Sequence, residues 1–368
     1  MALSLHWQRF HAPLRFQFKH ASASRATASS IIVRLSDGQN HGFGEACPRP
    51  YVTGETEQSV IDFLESRGEQ WAASVRSLDD LRTLLETEGR TIDENPAAFG
   101  ALELACLSLL AQRAQQSLEA LLGVPPLDQD LQYSAVVGDS GPGTTALQSW
   151  IYALAGFRDF KIKLGTDLPR DAQRFSRLPP NIRLRVDANN LYEHPQDFIA
   201  HLTALKKPIW AVEEPLRPGD AEGQAHIARQ TGVRIILDES LFNQDQLTVY
   251  ADPSLGWIAN IRVSKSGGVL RSIDLARSAQ KQGMDVILGA HVGESSLLSR
   301  AALTVGQALD TPPLAREGAF GRILVTEDVA RPSLRFGRGG RLRLKPWGFA
   351  DRPGLGLTMD PNGQGRKA

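Results

Sequence analysis

From residue 130 onward the sequence repeats one unit: a short apolar run closed by a polar residue, then about a dozen residues of helical pattern. The runs are "LQYSAVVGD", "FRDFKIKLG", "IRLRVDAN", "PIWAVEEP", "VRIILDES", "WIANIRVSK", "MDVILGAH" and, weakest, "PPLAREGAFG". Apolar runs of this length, separated by amphipathic stretches, read as βα units on a parallel sheet. Eight of them predict an α/β fold closed as a (β/α)8-type TIM barrel. An open doubly wound sheet usually opens on a Gly-rich turn, and no G-x-G-x-x-G follows the first run.

The chain before the repeat has a different period. "LHWQRFHAPLRFQF" and "SSIIVRLSDGQNHGFGE" alternate like antiparallel strands, the second pair turning at Asp37-Gly38. The small, polar "KHASASRATAS" between them reads as a mobile loop. From about residue 56 to 122 the period becomes helical, with a start signal at Asn95-Pro96. The expected organisation is an α+β capping domain over 1–125, a barrel over 126–325, and a C-terminal segment, 326–368, that returns to the cap.

Composition narrows the partners. Basic and acidic residues balance at 41 each, which gives no footprint for nucleic acid or an anionic membrane. No run reaches the roughly 18 apolar residues of a membrane helix, and the first residues show no cleavage-site pattern. A cytoplasmic protein is expected. Cys47 and Cys106 read as core thiols rather than a disulfide framework.

The residues that close the runs carry the chemistry. Lys163, Asp187, Glu213, Asp238, Lys265 and His291 follow one another at spacings of 24 to 27 residues, one βα unit per step. They therefore fall at the C-terminal ends of successive strands, the face on which barrels of this type build their sites. Singly, Asp187 could cap a helix, Glu213 could be solvated, and His291 could be a core histidine. In register, the set points to function. Three adjacent carboxylates would repel and raise one another's pKa unless a cation lay among them. Oxygen donors suit Mg²⁺, with Mn²⁺ as its substitute, whereas no cysteine or histidine cluster speaks for zinc. In "VEEP" and "LDES" the ligand could be either acid of each pair. Alternation favours Glu213 over Glu214, and register favours Asp238 over Glu239.

Lysines end strands two and six of the expected barrel, four apart in a ring of eight, and so face each other across the mouth. A small-molecule carboxylate on the metal could lose its α-proton to one lysine and regain it from the other. Such a base must sit well below the usual lysine pKa of about 10.4. Lys161, on the same strand face as Lys163 in "FKIKLG", is placed to supply that push.

Together "KIK", "DAN", "VEEP", "LDES" and "SKSGG", in this order and spacing, resemble the enolase superfamily, in its muconate-lactonizing-enzyme subgroup (the mandelate racemase/muconate lactonizing enzyme family). "GFGEACPRPYVTGET", "GAFGRILVTEDVARPSL" and "PGLGLTMD" extend the resemblance over most of the chain. The resemblance implies Lys163 and Lys265 as acid/base residues on opposite faces and Lys161 as the tuner of Lys163. It implies Asp187, Glu213 and Asp238 as ligands of Mg²⁺, with Asn189 and Glu239 beside them. The cap would set specificity through the 20–30 and 48–55 loops, and association into a homo-oligomer is expected by analogy.

Departures from the family pattern bear on the reaction. "GAHVGESS" replaces a Met-rich strand-seven end, which leaves His291 and Glu294 without assigned roles. No Asp-x-Asp follows strand eight to hold a substrate amine; Arg316 and Glu317 stand there instead. "FGRILVTEDV" tilts toward a cycloisomerase. The expected activity is a Mg²⁺-dependent isomerase, a cycloisomerase or a racemase/epimerase. A dehydratase resembling o-succinylbenzoate synthase is the alternative, and a Schiff-base aldolase or a non-catalytic binding barrel are the readings from other classes.

Overall fold

The structure, a computed structural model, describes residues 3–20 and 23–359. Its first element is a three-stranded antiparallel sheet, β1 (Ser4–His20), β2 (Ala23–Ser36) and β3 (His41–Ala46). The turn at Asp37-Gly38 is where the sequence puts it, with the Asp37 carboxylate accepting from the Gln39 and Asn40 amides. The expected loop between β1 and β2 is a correction. Residues 23–30 continue β2, and the pairing with β1 runs out to His20 and Ala23. Only residues 21–22 of that loop lie outside the described residues. Small polar side chains did not prevent pairing, because the ladder needs only backbone donors and acceptors.

Helix α1 (Pro96–Arg113) is buried from Pro96 to Ala111, which explains why it lacks an amphipathic pattern. It lies against β3, where a Cβ on Gly44 would run into the Ala101 carbonyl. Glycine there lets helix and strand backbones touch.

The parallel sheet follows in strict chain order: β4 (Ala135–Val137), β5 (Asp159–Lys163), β6 (Arg183–Asp187), β7 (Ile209–Glu213), β8 (Arg234–Leu237), β9 (Ile258–Ile261) and β10 (Asp285–Leu288). The helices between them are α2 (Pro142–Leu154), α3 (Leu168–Ser176), α4 (Pro195–Ala204), α5 (Ala221–Thr231) and α6 (Val269–Lys281), and α7 (Ser296–Gln307) follows β10. Residues 314–317 supply the eighth staves. The Leu314 amide donates to Val286, Glu317 to Leu288, and Ser134 donates to Arg316, so the ring closes back onto β4. Among the described residues no helix longer than one 3₁₀ turn follows this eighth segment. Among the described residues the expected (β/α)8-type barrel thus carries α2–α7 and, between β8 and β9, a single helical turn at Gln244–Leu247.

The barrel interior is divided. One side of its lower half is apolar, formed by Ala211, Ile236, Ile258, Ile287 and Ala315. The other is an ionic cluster of Ser134, Asp159 and Arg185. Cap and barrel are joined by buried carboxylates at helix N-termini. Glu103 of α1 accepts from the Val269 and Leu270 amides at 2.8 Å each, and Glu45 of β3 accepts from Ser295 and Leu298 at the start of α7. In the C-terminal segment the Gly354 carbonyl accepts from the Leu118 amide. Both cysteines are buried thiols, and no helix among the described residues is long and apolar enough to cross a membrane.

Candidate active site

Lys163, Asp187 and Glu213 stand side by side in one row, because β5, β6 and β7 pair in that register. Alternation turns Lys161 to the same side, one layer deeper. Asp187 Oδ2 lies 3.1 Å from Lys161 Nζ and 3.2 Å from Lys163 Nζ. Lys161 also reaches Glu213 Oε2 at 2.7 Å and Glu317 Oε2 at 3.2 Å. Burial opposes its charge, but Asp187, Glu213 and Glu317 outweigh that and hold the ammonium above its usual range. The charge of Lys161 is therefore matched by these acids. Lys163 donates instead to Asn189 Oδ1 at 2.7 Å.

Asp238, one residue past β8, pairs with the Arg262 guanidinium and, at 3.0 Å, with Lys265 Nζ. Lys265 is fully buried and also donates to the carbonyls of Asp238, Leu241 and Asn260 at 2.7–2.9 Å. That oxygen cage holds its ammonium nitrogen in place. Glu213 takes further donors from Asn260 and Arg262. Its burial, and the crowding of Asp187, Glu317 and Asp238, push its carboxyl well above the usual range despite Lys161.

The acids adjacent in sequence have other work. Glu214 turns away, with a left-handed backbone (φ 39°), and accepts from the amides of Asp238 and Ser240 and from the Ser240 hydroxyl. It braces the turn that carries Asp238. Glu239 is half-buried, 3.4 Å from Asn190 Nδ2. His291 is buried, and its amide donates to Glu294, which also accepts from Ser299. Burial, reinforced by Glu45, lifts Glu294 to about 8. Glu317 enters the site from strand eight, between Lys161 and Arg185. Sequence reasoning missed Arg185, Asn260 and Arg262. The same alternation would have found them, since Arg185 flanks Asp187 at two residues and Asn260 and Arg262 alternate with Ile261 and Val263.

Three buried carboxylates on neighbouring strands, one of them, Glu213, crowded by the other acids, form a donor set that fits a hard divalent cation. Among the described residues no three side chains are gathered as a ready-made cage; each acid is turned to Lys161, Lys163, Lys265 or Arg262 instead. Above strands seven, eight and one, a cavity of about 1010 Å³ opens from Glu317 and His291 outward along α2.

The family described as Enolase C-terminal domain-like matches residues 146–363. L-Lys-D/L-Arg epimerase of Methylococcus capsulatus is 29% identical over 358 residues, 95% of this chain and 96% of that one. The crystal structure of N-succinyl Arg/Lys racemase from Bacillus cereus has the same fold, with a TM-score of 0.86 at 23% identity, over 99% of this chain and 97% of that chain. A dipeptide epimerase from Methylococcus capsulatus, solved with Mg and the dipeptide L-Arg-D-Lys, is 27% identical with a TM-score of 0.82, over 97% of this chain and all of that one.

Proposed function

The chain belongs to the enolase C-terminal domain-like family of enzymes, and on that premise we propose that it is a Mg²⁺-dependent racemase or epimerase. Its substrate would be an amino acid whose nitrogen is held in an amide, as in the N-succinyl amino acids and dipeptides named for its relatives. The observation that carries this reading is the row Lys163–Asp187–Glu213, with Asp238 and Lys265 completing it on the next strands.

Asp187, Glu213 and Asp238 would hold the ion, which supplies positive charge beside the substrate carboxylate and so acidifies its α-proton. Lys163, at the mouth and in contact with Asn189, removes or returns that proton on one face. Lys265 serves the other face, and to do so its Nζ leaves the carbonyls of Leu241 and Asn260. Arg262 yields Asp238 in the same change, and Lys161 stays on Glu317 and balances the acids. Racemisation needs two such groups, because the proton must leave one face and arrive on the other. The epimerase and the racemase named above support this reading over the cycloisomerase.

The test is α-proton exchange in D₂O, with Mg²⁺, across N-succinyl amino acids, N-acyl amino acids and dipeptides. Exchange with inversion supports the proposal; a panel that stays unlabelled removes it.

A further inference from the structure

The ladder between β4 and β5 ends at Val137 and Ile162, one residue short of Lys163. Beyond that point a side chain takes over from the strand. Arg174, fully buried on α3, donates from Nη2 to the Gly138 carbonyl at 3.1 Å and to the Lys163 carbonyl at 2.9 Å. One guanidinium thus joins both strand ends where their own hydrogen bonds have run out.

Asp171, fully buried one turn earlier on the same helix, pairs with Arg174 Nη1 at 2.5 Å and accepts from the Gly165 amide at 2.9 Å. Tyr192 donates its hydroxyl to the Gly165 carbonyl at 3.2 Å, and the Leu164 amide donates to the Asp187 carbonyl at 2.8 Å. Residues 163–165 are therefore tied by four hydrogen bonds to backbone groups, two of them from one ion pair. Thr145 on α2, 3.1 Å from Arg174 Nε, and His201 on α4, 3.3 Å from Asp171 Oδ2, hold the pair from outside.

Burying a guanidinium and a carboxylate carries a desolvation cost that apolar packing between helix and sheet would not. What the pair adds is a fixed backbone under Lys163. Lys265 is set by other means, through the oxygens around its Nζ. Resting on the racemase reading above, we infer that Arg174 and Asp171 are positioning residues for proton transfer at the Lys163 face alone.

The consequence depends on chirality. In a two-base racemase each enantiomer loses its α-proton to the lysine on its own face. The ammonium so formed exchanges with D₂O and can return a deuteron to the same carbon without inversion. A base displaced by about 1 Å loses about 10²-fold in rate, and only toward the enantiomer it faces.

The test gives the Mg²⁺-loaded enzyme N-succinyl-lysine, N-acetyl-lysine and alanyl-lysine in D₂O. Each is supplied as the pure L or D form at the carbon bearing the carboxylate, and exchange there is followed by NMR. Lys163→Ala identifies the enantiomer that depends on Lys163. Arg174→Met should slow that same enantiomer about 10²-fold and leave the other within about threefold. Asp171→Asn and Arg174→Lys, which keep the volume of the site, should show the same selectivity and carry the test where Arg174→Met does not fold. Equal losses for both enantiomers, or no loss in either, overturn the inference and leave the racemase reading standing. A parent enzyme that exchanges none of the three compounds overturns both.

Discussion

Lys161 and Lys163 share a single carboxylate oxygen, Asp187 Oδ2, at 3.1 and 3.2 Å. The shared acid turns an apparent like-charge conflict on one strand face into an ion triad. It also divides the pair by depth: Lys161 is locked among three acids, while Lys163, nearer the mouth, donates to the Asn189 amide oxygen as well as meeting Asp187.

That division predicts unequal roles for the lysines. Lys163→Ala and Lys265→Ala should each lower racemisation by about 10²–10⁴-fold, the usual contribution of a positioned acid or base. The measurement is inversion of optical rotation alongside deuterium uptake. Wild-type rates in either variant would remove that lysine from the proposed mechanism.

Lys161→Met should damage the fold before the chemistry. It strips a buried cation from Asp187, Glu213 and Glu317, and breaking such a cluster costs about 3–5 kcal/mol. Mg²⁺ at 100 times its Kd stabilises by about 2.7 kcal/mol through binding to the native state. Urea unfolding with and without Mg²⁺ should therefore show a large loss in EDTA and a clear part of it recovered with the ion. A variant indifferent to Mg²⁺ would sink the assignment of these acids as its ligands.

Glu214→Gln should loosen the turn that carries Asp238, because a carboxylate that accepts from two amides and a hydroxyl is replaced by a group with its own donors. We expect about 1–3 kcal/mol lost in urea unfolding and Mg²⁺ affinity, by calorimetric titration, weakened about 10–100-fold. Unchanged affinity would mean that Asp238 holds its place without this brace.

Glu103 gives the cap–barrel joint a pH dependence. Burial pushes its carboxyl up to about 7, against the two amide bonds that pull it down. The folded chain then keeps a proton that the unfolded chain releases near 4.5. This contribution is fully present below pH 4.5 and is lost as pH rises through about 7, at up to about 1.4 kcal/mol per pH unit. Glu55, also lifted to about 7 by burial, adds in the same direction. Urea midpoints between pH 5 and 7 should decline less in Glu103→Gln than in the parent. Equal slopes would show that Glu103 does not titrate in that window.

Much of this protein was determined by local pattern. The βα repeat dictates the barrel, because a period of two bounded by helical stretches buries its apolar faces in few other ways. The same period placed Lys161 beside Lys163 and turned Glu213, not Glu214, toward the interior. Only the tertiary structure decided who neutralises whom. Lys161 finds Glu317 at a distance of 156 residues in the chain, and Arg185 finds the same acid from 132. Nothing within a strand specifies such partners, since they depend on closing the ring at 314–317. The long β1–β2 ribbon, the oxygen cage around Lys265 and the cavity left beside α2 were hidden for the same reason. Each arises where segments distant in sequence meet, and there charge pairing and space, rather than periodicity, set the outcome.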